Sequence, residues 1–443
     1  MISKLGAAAG DDERETGAVL VVCILFATLE FLLGNHAIAI EHCRHAVLIF
    51  NGMRSVSPWM RKNLVPFIRR ATTYPLFLAG HVDYTPLPPL ADDFGGALRR
   101  TPTFDSLDEA REVLHGLASQ ATRLLHLANP FRIGSRRSEP IPDSLLAEYQ
   151  ATLAALDRWS DMFTIFRALP RGASPPSPQQ QQSEYVDPVT ELQMRALTAR
   201  AWLAAHYDLE AGELAFDTHM DAFRRINELA RSMVQRKRRG SSDDDHQQSQ
   251  SHHQARFRFD VGIMPPLYFT IRWCRDLAVR LEALRLLCLL CHGDECIFDI
   301  YTLASALRAV IDHEHAIDLA SLSPGGDGVH DYIPAYKNRI AAMNPQAWAS
   351  PEESVPPERR IWDAVIMPET EAVGEGKRMV RYVQVINDNV CRTDEVVAVT
   401  TNFTAKAESS EIHARRMVAL RKSVQNADPL IHGPAIWLSW GGC

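Results

Sequence analysis

Thiols and an imidazole crowd together once in this chain, in Cys288-Leu-Leu-Cys291-His292-Gly-Asp-Glu-Cys296. Thiolates and histidine nitrogen suit a tetrahedral zinc ion, and Cys-x2-Cys is a common half-site. No second Cys-x2-Cys pair follows, and Cys288 and Cys291 continue a helical stripe through Leu277, Leu281 and Leu284. A reduced cysteine packs as a small hydrophobe, so these positions are expected to be core, and no metal ligand is assigned. Asp312-His313-Glu314-His315 offers carboxylates and imidazoles for acid–base work. Histidines two residues apart do not share a helix face as an i,i+4 pair would; a solvated helix surface is expected. The third cluster is cationic: Arg236, Lys237, Arg238 and Arg239 stand beside Asp243-Asp244-Asp245 and a polar low-complexity tract. This run reads as a nuclear-import signal or a local phosphate contact, or else as cations over the carbonyl end of a helix. Asn402-Phe403-Thr404 has the form of a glycosylation acceptor, expected to go unused without a secretory signal. The sequence carries no phosphate-cradling glycine loop, no Gly-x-Ser-x-Gly elbow and no His-Glu-x-x-His. No catalytic or cofactor-binding residue is assigned, and the expected class is not an enzyme.

The elements that would position these groups are helices. Of 443 residues, 46% are hydrophobic and 23% charged, enough for a sizeable core. A net charge of −7 argues against a nucleic-acid footprint over the whole surface. Eight scattered cysteines suit a reducing compartment better than a disulfide framework. The most hydrophobic run, AVLVVCILFATLEFLLGN at 18–35, is interrupted by Glu30 and preceded by DDERE. A spanning helix needs about 20 apolar residues, so a helix buried within the protein is expected, with no membrane contact. After Gly34-Asn35, read as a turn, Ile40, Cys43, Val47 and Phe50 recur at helical spacing, which makes an αα-hairpin.

The same grammar continues. Ser106-Leu-Asp-Glu109 has capping-box form ahead of Ala110, Leu114, Leu117, Ala121 and Leu124. A helix from about Ser144 carries Tyr149, Leu153, Leu156, Phe163 and Phe166 inward, another runs from Pro188 to Tyr207, and a further one from Phe216 to Val234. Behind Pro265-Pro266 the helical pattern resumes, with Asp276 and Arg280 spaced for an i,i+4 pair, and Asp299 is placed to cap a helix through Ile311. Val365–Met367 and Val380–Ile386 read as a small β-hairpin around a Gly-rich turn. The expected class is all-α, an irregular array of αα-hairpins with disordered linkers and that one small hairpin. Its expected divisions are a disordered 1–17, a first helical part at 18–172, a Pro/Gln-rich linker at 173–186, a helical segment at 187–235, a basic and polar linker at 236–256, more of the helical domain at 257–320, and a mixed region at 321–443.

Several stretches together resemble a known family. LLGNHAIAIEHCRHAVLIFNGM, DRWSDMFTIF at 157–166, RALTARAWLAAHY at 195–207 and, most specifically, FDVGIMPPLYFTIRWCRDLAVRLEALRLL at 259–287 are similar to the regulatory region of fungal binuclear zinc-cluster transcription factors. The resemblance covers about residues 18–320. It implies an all-helical regulatory domain, a nuclear address, other transcription proteins as partners, homo- or heterodimers, a small-molecule effector, and control of a particular pathway or gene cluster. The family binds DNA through six cysteines in two Cys-x2-Cys-x6-Cys halves that hold zinc. This chain holds no such cluster, so zinc is expected only if one lies upstream, and direct DNA binding is not expected of the chain as given. The alternative expectation is a helical scaffold or decoy that modulates full-length relatives.

Overall fold

The computed structural model describes residues 11–32, 36–53, 56–71, 87, 88, 90, 98, 102–169, 188–241, 262–291, 300–317, 319, 355–366, 377–386 and 389–398. Among the described residues the protein is helical apart from one small antiparallel sheet. Four N-terminal helices come first: α1 (Asp11–Leu32), α2 (His36–Gly52), α3 (Pro58–Asn63) and α4 (Val65–Ala71). The central helices are α5 (Leu107–Arg132), α6 (Asp143–Ala168), α7 (Pro188–Tyr207), a 3-10 helix (Gly212–His219) and α8 (Met220–Ser241). Then come α9 (Met264–Trp273), α10 (Leu277–Leu290) and α11 (Ile300–His315), followed by strands β1 (Ile361–Ile366), β2 (Lys377–Ile386) and β3 (Asn389–Ala398).

Local chemistry sets several boundaries. Ser57 Oγ accepts from the Met60 amide at 3.4 Å and Pro58 occupies the first turn of α3, where its missing N–H costs nothing. The Ser106 hydroxyl accepts from the Glu109 amide at 3.1 Å, and Glu109 Oε2 reaches back to the Asp105 amide at 2.7 Å. This is the expected capping box, its return bond shifted by one residue. The helical run behind Pro265-Pro266 breaks at Cys274, where the backbone turns extended. Asp276 is therefore not the i,i+4 partner of Arg280. Its Oδ1 accepts from the Val279 amide at 3.1 Å and caps α10.

The principal core lies among α5 to α11. Ala110, Leu114, Leu117, Ala121 and Leu124 of α5 are all buried, as their spacing predicts, and so are Leu156, Phe163 and Phe166 of α6. Each such leucine or phenylalanine contributes about 2 kcal/mol by leaving water. Trp159 stacks on Phe163 with centroids 4.6 Å apart and donates its indole N–H to the Ala110 carbonyl at 2.8 Å. A smaller core joins α1 and α2 to α3 and α4, through Leu20, Val47, Phe50, Met60 and Ile68.

The helix at 18–32 is only half the core element its composition suggests. Leu20 and Ala27 are buried, yet Val19, Val22, Leu25 and Phe26 are exposed. A helix apolar on every side cannot hide all its faces against a single neighbour, and α2 covers one of them. No described helix is long and apolar enough to cross a membrane. Gly34-Asn35, read as the turn of this hairpin, lies outside the described residues, as do Asp299 and Asn402-Phe403-Thr404.

In the sheet, the expected hairpin is present and a third strand joins it, in the order β1-β2-β3. The β2–β3 register runs unbroken from Lys377↔Ala398 to Ile386↔Asn389, whereas Trp362 is an extra residue between Ile361 and Asp363 of β1. Ile361, Val380, Tyr382 and Val397 pack on Ala306, Ala309 and Val310 of α11.

Candidate functional site

Where the helices meet the sheet, charges have gone inside. Arg132 ends α5, Arg272 lies on α9, Arg275 sits in the break before α10, Arg280 is on α10 and Arg360 directly precedes β1. All five are buried, four of them at 0% exposure. Glu213 of the 3-10 helix, Glu314 of α11 and Asp363 of β1 are buried with them.

Glu314 is the hub. Its Oε2 accepts from Arg280 Nη1 at 2.7 Å, its Oε1 lies 3.3 Å from Arg275 Nη2, and Oε1 also accepts the Ile361 amide at 2.7 Å. Burial works to raise its pKa, but Arg275, Arg280, Arg272 and the Ile361 amide outweigh that and hold the carboxyl at about 2. Glu213 serves the other side. Its Oε2 accepts from Arg275 Nη2 at 2.7 Å, and its second oxygen pairs with Arg132. Arg360 binds the Glu213 carbonyl at 3.2 Å and the Asp217 carboxylate at 2.7 Å. Arg272 donates to the Ile361 carbonyl at 3.0 Å while its guanidinium lies 5.1 Å from the Trp273 ring centroid. The junction thus clamps both backbone polar groups of Ile361, the first residue of the sheet: the amide to Glu314 of α11, the carbonyl to Arg272 of α9 and, at 3.4 Å, to Arg275 in the break before α10. Burial lowers Arg132 to about 9 and Arg280 to about 10, so both remain cations at neutral pH.

Packing closes the cluster. Gly212 has φ +58, a backbone region that glycine enters freely, and a Cβ there would stand 2.9 Å from the Trp362 ring. The bulge at Trp362 puts its indole against this glycine, with the Arg132 guanidinium 4.9 Å from the ring centroid.

This arrangement overturns the surface reading of Asp312–His315. Glu314 is fully buried, and His315 Nε2 accepts from Arg280 Nη1 at 3.1 Å, which places the imidazole proton on Nδ1. Burial, and then Arg280, lower His315 to about 3. His313 lies against Tyr382 with ring centroids 5.1 Å apart, and Asp312 Oδ1 accepts the Leu319 amide at 3.0 Å. At neutral pH Glu314 is an anion and His315 neutral, both far from titration, which suits a structural clamp better than proton transfer.

The other sequence candidates stand apart from the junction. Cys288 is half-buried on α10, and burial pushes its thiol up to about 12, the wrong direction for a thiolate ligand. Cys291 is the residue that ends α10; His292 and Cys296 lie outside the described residues. Among the described residues no group of three His, Cys, Asp or Glu could hold a metal. Arg236, Lys237, Arg238 and Arg239 are not in a linker: α8 continues through them to Ser241. Arg236 donates to Thr190 at 3.1 Å and to Ser232 at 3.2 Å.

No protein-family model, curated protein or solved structure matches the chain. The junction went unseen in the sequence because its partners lie far apart along it; Arg360 and the Glu213 carbonyl are separated by 147 residues. One signal was available. Arg272, Arg275 and Arg280 interrupt an otherwise apolar stretch, and a guanidinium among core residues must find a partner.

Proposed function

We propose that this chain regulates transcription from the nucleus by contacting other transcription proteins through its helical array. The observation that carries the reading is the ordered resemblance of segments across residues 18–320 to the regulatory region of zinc-cluster factors. Its most specific segment, 259–287, contains α9 and most of α10 and supplies Arg272, Arg275 and Arg280 to the buried junction. That the resemblance is densest where the structure has most to lose supports it. Support for action by contact comes from α1, whose Val19, Val22, Leu25 and Phe26 side chains stand in solvent, an arrangement that marks protein-binding faces. Support for nuclear import comes from the basic run at the end of α8.

Tethering the full chain to a heterologous DNA-binding domain tests the proposal. A reporter rising or falling several-fold is expected, with the effect lost when Val22→Glu and Leu25→Glu are introduced together. An unchanged reporter with a normally expressed fusion would overturn it.

A further inference from the structure

We infer that the buried junction binds one monovalent anion of chloride size, which accepts from the guanidinium of Arg272 and the indole N–H of Trp273. The guanidiniums of Arg132, Arg272, Arg275, Arg280 and Arg360 are all buried there. Among the described residues, the carboxylates buried with them or paired to them are those of Glu213, Glu314, Asp363 and Asp217. An arginine does not shed its charge at neutral pH, so one positive charge is left over.

That charge belongs to Arg272. Arg132 pairs with Glu213, Arg275 with Glu213 and Glu314, Arg280 with Glu314, and Arg360 with Asp217. Arg272 alone of the five has no carboxylate in contact among the described residues. Its Nη2 donates to the Ile361 carbonyl at 3.0 Å, while its Nε and Nη1 are buried with no hydrogen-bond partner. The indole N–H of the neighbouring Trp273 is buried without an acceptor too, and the Arg272 guanidinium lies 5.1 Å from that ring's centroid. Burial pulls the Arg272 pKa down, and Glu314, Tyr268 and Asp363, acting through space, do not restore it. All three orphaned atoms are donors, and a buried cation short of acceptors is costly to a fold.

The surroundings decide which anion fits. Every residue of α9 is buried, and Trp273 packs on Trp202, Phe216 and Tyr268 with ring centroids 4.4, 5.5 and 5.8 Å away. A guanidinium so enclosed suits a single-atom anion better than an organic acid with a body to house. A dianion would overshoot neutrality, and a water molecule would satisfy the donors but not the charge. Because Arg272 holds the Ile361 carbonyl, the ion would tie the seating of the sheet to chloride concentration.

Thermal unfolding of the full chain, followed by circular dichroism while chloride replaces gluconate at constant ionic strength, tests this. The midpoint should rise by about 2–5 °C and level off by about 100 mM chloride, as binding at one site requires. Arg272→Met removes the charge and leaves Arg275 to hold the Ile361 carbonyl at 3.4 Å; its midpoint should be indifferent to chloride. Trp273→Phe keeps an aromatic ring without the donor, and should need at least about threefold more chloride for half the effect. A parent midpoint indifferent to chloride would overturn the proposal, and so would a chloride effect equally large in Arg272→Met. Should Arg272→Met fail to fold, Trp273→Phe decides: an unchanged half-saturating concentration overturns the proposal.

Discussion

Replacing Glu314 by glutamine removes one charge from the hub of the buried junction and almost no volume. The carboxyl titrates at about 2 in the folded chain against an ordinary value of 4.5. A tenfold change in proton affinity is worth roughly 1.4 kcal/mol, so the fold favours the charged over the protonated form by about 3 kcal/mol. An amide resembles the protonated form, and it deprives Arg280 of its carboxylate and leaves Arg275 to the carboxylate of Glu213. Breaking a buried pair from one side costs about 3–5 kcal/mol by comparison with other proteins, and the two figures agree. Urea unfolding at pH 7, followed by far-ultraviolet circular dichroism, should therefore show Glu314→Gln destabilised by about 3 kcal/mol. The pH dependence carries a second signature. A carboxyl whose folded pKa is depressed contributes its full stability above the unfolded pKa and loses it as pH falls through the folded one. The parent should lose this contribution as pH falls from 4.5 to about 2, a loss the variant does not share. A cost below about 1 kcal/mol at pH 7 would refute the view of Glu314 as the hub.

His315 gives a prediction at milder pH. It stays neutral in the fold down to about 3, whereas the unfolded chain takes up a proton below 6.5, so acidification favours unfolding. Between about pH 7.5 and 5 this costs about 2 kcal/mol, and His315→Gln, which keeps an acceptor facing Arg280, should lose that much less over the same interval in urea titrations. Gly212→Ala should destabilise by about 2 kcal/mol, from the left-handed backbone and the Trp362 contact together; in a Trp362→Leu background roughly half of that cost should disappear. Changing Lys237, Arg238 and Arg239 together to alanine should shift a fluorescently tagged chain from nucleus to cytoplasm, as imaging would show, with stability within about 0.5 kcal/mol of the parent.

Helical periodicity reads a local property, and where burial is decided locally it succeeded. The α5 stripe from Ala110 to Leu124, the Ser106 cap and the inward residues of α2 are all where their spacing puts them. The reading weakened wherever the deciding partner was distant. Asp276 and Arg280 have ideal helical spacing, yet such a pair contributes only a few tenths of a kcal/mol, less than capping α10 with one and burying the other against Glu314. Glu314 and His315 look like surface residues in a charged tetrapeptide, and only the arrival of α9, α10 and β1 around α11 takes Glu314 out of water and leaves His315 half-buried against Arg280. The third strand was missed for a related reason. Arg392, Thr393, Asp394 and Glu395 lack the apolar alternation of a half-buried strand because their side chains remain in solvent.

The surplus residue in β1 has a consequence for how this protein tolerates change. Deleting Trp362 would tidy the ladder between Ile361 and Asp363 into even rungs, an improvement by any measure of sheet regularity. It would also withdraw the indole from Gly212 and from the Arg132 guanidinium, and unseat the hinge-pin that joins sheet to helices. The irregular strand is thus the better-anchored one, and a repair of its geometry would leave the sheet hanging more loosely from the rest of the molecule.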